Sequence, residues 1–327
     1  MKCGGMALTG STRMQSSTIE QAVVASALEL YLASIAQKDA AMDKKELIKG
    51  FKSCINMLKS DAVIEIMARA TDMEAALYER GGHVTYFADE YMLDVFADTT
   101  ERGPTFSVPP FRPQCRKDMP LSWAFAKKPA ASTEAAWFEC LERKPRCIDK
   151  STEEYIDIGI KPEAARKIPK INFDAILEYK IGDEPDPERE GGDSLAIWID
   201  YDKAAPSEFN DVVARYKNSE QFVLSHGNYA LTETRLKIFE HLAMKMFINT
   251  FSTGTMAKMG KIRGNYMICI NMANKKLVDR ATRIIADLCG MDYEKANYEL
   301  FYGKLLMEKE GKSGSIVEYV LNRFSAV

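Results

Sequence analysis

Four polar residues on an otherwise apolar segment carry the clearest capacity for chemistry in this sequence. His241, Lys245, Asn249 and Ser252 fall at i, i+4, i+8 and i+11, so a helix presents them along one face. Around them Leu236, Phe239, Leu242, Ala243, Met246, Phe247 and Phe251 recur at helical spacing, and Ile238, Met244 and Ile248 widen the apolar surface. A helix apolar over so much of its girth is a buried one. An ammonium beside hydrogen-bonding side chains on such a helix suits an anionic ligand. A solvated face, with a lysine whose stem is packed and whose head reaches water, fits the same spacing. A second cluster lies near the N-terminus. Gly10-Ser11-Thr12-Arg13-Met14 precedes Ser17-Thr18-Ile19-Glu20, which reads as a capping box. A small polar loop with an arginine at a helix N-terminus is a ready anion site; an ordinary capped turn is the alternative.

Composition excludes several other chemistries. The 327 residues carry a net charge of -3 and a pI near 5.8, so no basic excess points to nucleic acid or to a membrane surface. No apolar run is expected to approach a membrane span, and the first residues lack a signal-peptide core. The seven cysteines are scattered and the three histidines are far apart, so neither a disulfide framework nor a metal site is expected. The reading is a cytoplasmic protein with reduced thiols and no cofactor. The carboxylates between Gly182 and Asp193 have no EF-hand spacing and read as a solvated loop.

The elements that must position these residues alternate in type. A helix is predicted from Ser17 to about Gln37, two more within residues 44–80, then a strand at His83–Ala88 and a helix over Glu90–Ala97. The proline-rich stretch from Gly103 to Pro129 reads as a strand near Pro104–Arg112 followed by irregular chain. Trp137–Leu141 begins a helix, and Phe173–Tyr179 is open between helix and strand. Ser194–Asp200 is the clearest strand, followed by a helix at Glu208–Tyr216 and a strand at Gln221–Ser225. This rhythm implies a parallel sheet with right-handed crossovers. The polar-striped helix is placed at Glu233–Met259, a strand at Tyr266–Ile270, and a further helix between an Asn274 N-cap and a Gly290 C-cap. Two last helices are expected at Tyr293–Leu306 and Ser315–Phe324.

Two of these segments carry a resemblance. "LTGSTRM" at Leu8–Met14 and "INTFSTGTMAKMGKIRGNYMICINMANKKLVDRATRII" at Ile248–Ile285 are similar to the sugar isomerase (SIS) family, as in N-acetylmuramic acid 6-phosphate etherases and glucokinase regulatory proteins. The resemblance implies an α/β, three-layer SIS-type fold, with a central parallel sheet flanked by helices and a C-terminal helical tail. It implies a loop and helix at 1–44 left from a preceding SIS domain, an SIS domain at 45–270 and the tail at 271–327. The chain resembles the C-terminal part of a two-domain protein whose earlier part would hold the catalytic glutamates. Ser11, Thr12 and Arg13 match the family's sugar-phosphate segment, and Lys245, Asn249 and Ser252 match its later helix. Gln15 and Gln21 stand where the family has lysines. The two segments are complementary, which fits either one site assembled from both or independent decay of each. The Ala88-Asp89-Glu90 turn takes the place of a Gly/Ser phosphate loop and would repel a phosphate. The implied partners are a phosphorylated hexose or amino sugar and a second copy or partner SIS domain. The implied function is regulatory sugar-phosphate binding. The alternatives are an etherase-like lyase or sugar-phosphate isomerase completed by a missing domain, and an interaction module with a degenerate site. No catalytic residue is assigned.

Overall fold

The computed structural model describes residues 8, 13–35, 42–224 and 231–324. Helices α1 (Arg13–Ile35), α2 (Lys44–Leu58) and α3 (Asp61–Glu79) lead to strand β1 (His83–Phe87) and helix α4 (Met92–Phe106). Strand β2 (Ala124–Lys127) precedes short helices α5 (Thr133–Leu141), α6 (Thr152–Asp157), α7 (Pro162–Ala165), α8 (Phe173–Leu177) and α9 (Pro187–Glu190). Strand β3 (Ser194–Tyr201), helix α10 (Phe209–Val213) and strand β4 (Asn218–Leu224) follow. The last part holds α11 (Ile238–Lys258), β5 (Ile262–Arg263), β6 (Tyr266–Met267), α12 (Lys275–Cys289), α13 (Tyr293–Lys309) and α14 (Ile316–Phe324). The chain divides into two compact units: Gly82–Phe96 with Phe111–Val223, and the remainder, which takes in Ala97–Pro110.

The first unit is built on a sheet of order β2-β1-β3-β4. Strand β1 pairs in parallel with β2 and with β3, giving the expected parallel sheet flanked by helices. Every residue of β3 is buried, as its near-continuous apolar sequence requires of a central parallel strand. On one face Phe87, Ala196 and Trp198 pack against Phe209, Val212 and Tyr216 of the α10 region. Beside them Arg189 of α9 is buried, donating to Thr85 Oγ1 at 3.1 Å, Ser122 O at 2.8 Å and Val84 O at 2.7 Å. Its guanidinium also lies over the Phe125 ring.

The second unit is helical, with α11 packed against α1, α2 and α3. The Phe239 ring lies over Gly50 so closely that a Cβ there would sit 2.1 Å from it, which explains a glycine inside α2 despite its poor helix propensity. Helices α12, α13 and α14 pack on one another.

Several boundaries differ from the sequence reading, each for a local reason. Helix α1 begins at Arg13, because Ser17 and Thr18 do not cap; their hydroxyls bond back to Met14 O at 3.0 and 2.9 Å. Helix α11 begins at Ile238, because Lys237 is left-handed (φ 47°) and Thr234 Oγ1 accepts from Ile238 N at 2.8 Å. Helix α4 runs on through Gly103 and Pro104 to Phe106, so the strand expected at Pro104–Arg112 is absent, and the strand beside β1 is β2 instead. The strand expected at Tyr266–Ile270 shrinks to β6, paired with β5. Helix α12 keeps its expected ends: Asn274 Oδ1 accepts from Leu277 N at 3.0 Å and Gly290 is left-handed. Contrary to expectation, one helix among the described residues, α1, is long and apolar enough to cross a membrane by length and composition; its Glu29, however, is buried against the protein.

Candidate functional site

The site is set by α11, whose polar stripe turns inward. Lys245 is 2 % exposed, Asn249 7 % and Ser252 0 %, so this face is not the solvated side of the helix. The residues that meet it come from α3 and from the C-terminal half of α4, within the same helical unit. Asn249 Nδ2 and Ser252 Oγ both donate to Asp98 Oδ1, at 2.7 and 2.8 Å. Arg102 Nε donates to Asp98 Oδ2 at 2.6 Å, and Nη1 to the two Glu74 oxygens at 3.2 Å each. Thr255 Oγ1 is 3.2 Å from Glu74 Oε2, and the Tyr78 hydroxyl accepts from Arg102 at 3.1 Å. Burial pushes the Glu74 carboxyl above its ordinary value, against the pull of Arg102. Burial works against the charge of Arg102, but Asp98 and Glu74 beside it hold the guanidinium protonated more firmly than in water.

Lys245 stands apart from this network. Its Nζ is buried and has no hydrogen-bond partner among the described residues, a costly state for an ammonium. Its charge acts on Glu101, one residue before Arg102. Glu101 is half-buried, and burial lifts its carboxyl above the usual range; Lys245, Ser17 and Arg13 pull it back down, while Asp98 adds to the rise. Ser17 Oγ of α1 lies 3.4 Å from Glu101 Oε2. The structure thus brings Arg13 and Ser17 of α1 and Lys245 of α11 to one carboxyl. Ser11 and Thr12 lie outside the described residues. Asn249 and Ser252 share the face of Lys245, with their hydrogen-bonding groups directed to Asp98.

Such an arrangement has two chemical capacities. A carboxyl raised above its ordinary range by burial is a better proton acceptor than a free one and is suited to proton transfer. A buried ammonium without a partner is a prepared seat for an anion. Sequence reasoning passed over Glu101, Asp98 and Arg102 because it ended α4 at Ala97. The signal that finds this face is the i, i+4, i+8 spacing of Asp94, Asp98 and Arg102, which carries one polar stripe past Ala97 to Arg102.

A second feature was also missed. Leu231-Thr232-Glu233-Thr234-Arg235-Leu236 repeats Leu8-Thr9-Gly10-Ser11-Thr12-Arg13-Met14 with one residue deleted, so the later segment has its own copy of the loop. There the backbone N–H groups of Arg235 and Leu236 donate to the Glu29 carboxylate of α1 at 2.9 and 3.1 Å. Arg235 Nη1 also donates to Leu32 O at 3.3 Å. The sheet unit shows a comparable substitution at the carboxyl end of β1. Asp89 is bridged by Lys128 and Lys203; burial opposes its charge, but the two ammoniums hold the carboxyl below the usual range. A protein carboxylate therefore takes the cations at the edge where parallel sheets bind ligands.

No protein-family profile matches the chain. It is 26 % identical over 261 residues to the N-acetylmuramic acid 6-phosphate etherase of Salmonella paratyphi B, covering 78 % of this chain and 79 % of that protein. The etherase of Salmonella typhi aligns with the same identity and coverage. That of Thermosynechococcus vestitus is 49 % identical over 59 residues, 18 % of either chain. Most of the length of the Salmonella proteins thus has a counterpart in this chain. These similarities point to the SIS superfamily.

Proposed function

We propose that the helical unit holds a phosphorylated amino sugar at Lys245 and Glu101, and that the chain acts as an etherase-type lyase on it. One observation carries this reading: a buried ammonium with no hydrogen-bond partner among the described residues, whose charge acts on a carboxyl that burial raises above its ordinary range. Lys245 and Arg13 supply charge to the phosphate, with Ser11 and Thr12 of the N-terminal loop as hydrogen-bond donors. Asn249 and Ser252 act through Asp98, fixing the face of α4 that carries Glu101. Glu101, as a carboxylate, takes the proton from the carbon next to the ether-bearing carbon. The C–H electron pair forms a carbon–carbon double bond as the carbon–oxygen bond breaks, and the carboxyl returns that proton to the departing oxygen. The similarity to etherases over most of the chain supports this chemistry.

A second reading, binding without turnover in a regulatory role, is favoured by Asp89. Its bridges to Lys128 and Lys203 remove the cations that a phosphate would use at the sheet edge. Calorimetric titration with N-acetylmuramic acid 6-phosphate tests the shared core of both readings. Saturable binding that requires the phosphate and is lost in Lys245→Met is expected. Equal binding of the unphosphorylated sugar contradicts it.

A further inference from the structure

The helical unit contains a cavity that shares no lining residue with the site above. It is about 530 Å³ in volume and lies between the β5–α12 segment and the α13–α14 hairpin. Lysines from three separate places line it: Lys261 after α11, Lys304 on α13 and Lys312 in the turn before α14. Glu308 is the one carboxylate that lines it, so the wall carries a net positive charge of two (three lysines less one glutamate). The floor is apolar, made by Ile270, Met307 and Ile316, all buried.

The geometry favours an anion over water alone. The turn Lys312-Ser313-Gly314-Ser315 leads into α14 and lines the cavity. Gly314 has φ +121°, which a side chain would strain. Ser315 Oγ accepts from Glu318 N at 3.2 Å, so this turn stands at the dipole-positive end of a nine-residue helix. Lys304 is engaged by the exposed Glu308 at 4.0 Å, and Lys312 by the exposed Glu310 at 2.8 Å and by the Tyr319 ring, 5.4 Å from its centroid. Pairs of this kind contribute little and exchange readily for a ligand. Lys261 Nζ lies 4.0 Å from Cys269 Sγ, and both residues line the cavity.

We propose that this cavity binds a small organic anion with a phosphate-like head and a flat apolar body, the head at Lys261, Lys304 and Lys312 and the body on Ile270, Met307 and Ile316. The volume lies in the range of small-molecule sites, and both halves of the recognition are present. The proposal is independent of the Lys245 site.

Phenyl phosphate, phenol and inorganic phosphate titrated into the full-length chain, observed by calorimetry, form the test. Phenyl phosphate is expected to bind saturably and at least tenfold more tightly than inorganic phosphate, with no binding of phenol. Lys304→Met/Lys312→Met, at exposed positions that do not support the fold, should weaken phenyl phosphate at least tenfold. Met307→Lys should weaken it through the floor, and Lys245→Met should leave it unchanged. Three results each overturn the proposal: no saturable binding, equal affinity for phenyl phosphate and inorganic phosphate, or binding undiminished in the double lysine variant.

Discussion

Replacing Lys245 by methionine should stabilise the free protein and erase its response to ligand. The side chain is 2 % exposed and its Nζ has no hydrogen-bond partner among the described residues. Burying an ammonium costs several kcal/mol even after relaxation. The offset from Glu101 is smaller than the roughly 4 kcal/mol of a contact pair near a protein surface, because the two do not form a hydrogen bond. Methionine keeps the length and the apolar stem and removes the charge, so a net gain of about 1–3 kcal/mol is expected for the free protein. A saturating phosphosugar adds roughly 2.7 kcal/mol to the wild type at a hundred times Kd and nothing to the variant. Chemical denaturation with and without N-acetylmuramic acid 6-phosphate reads both effects. A variant less stable than wild type without ligand would show that Lys245 is a structural ion-pair partner. A variant that keeps the full ligand increment would show that the phosphate binds elsewhere.

Three further outcomes follow from the same structure. Arg102→Leu leaves Glu74 and Asp98 buried together without their cation, and a loss of about 3–5 kcal/mol in urea denaturation is expected. In the sheet unit, burial raises the Asp200 carboxyl to about 6 from 3.8, opposed by Tyr201 N–H and Lys203 and helped by Asp89 and Glu90. The folded state then holds a proton that the unfolded state has lost, so stability falls as pH rises through that window. Asp200→Asn should therefore gain about 1–3 kcal/mol at neutral pH and nothing below about pH 4 in the same assay. Helix α1 leaves Val24 and Leu28 at 58 % and 49 % exposure; self-association through this face is expected. Sedimentation should show Val24→Glu/Leu28→Glu as a monomer beside an associating wild type, and a wild type monomeric at every concentration contradicts it.

The legible parts of the fold were those fixed by local pattern. The β3 run Ser194–Tyr201 could only be a central strand, and Asn274 with Gly290 bounded α12 through chemistry carried by single residues. The stripe of α11 was legible as a stripe, but its burial depended on the part of α4 beyond Ala97, where the sequence reading ended that helix. Pro104 stays helical near the end of α4, where Gly103 allows Pro110 to approach to 3.0 Å of its would-be Cβ, a long-range packing fact with no local signature. Ser17 read as a cap because the spacing allowed it; the earlier start at Arg13 turned the hydroxyl into a back-bond. Glu29 at the start of α11 was not readable, because its partners are backbone N–H groups more than two hundred residues away.

The central claim is that Glu101 and Lys245 together form a working site. The most direct measurement is single-turnover incubation of the full-length protein with N-acetylmuramic acid 6-phosphate, with ether cleavage followed by mass spectrometry, in wild type and Glu101→Gln. Cleavage by wild type is expected, with a loss of about 100-fold or more in the variant while calorimetric affinity for the phosphosugar stays within about threefold. Cleavage that survives Glu101→Gln unchanged, or binding without any cleavage by wild type, would contradict it.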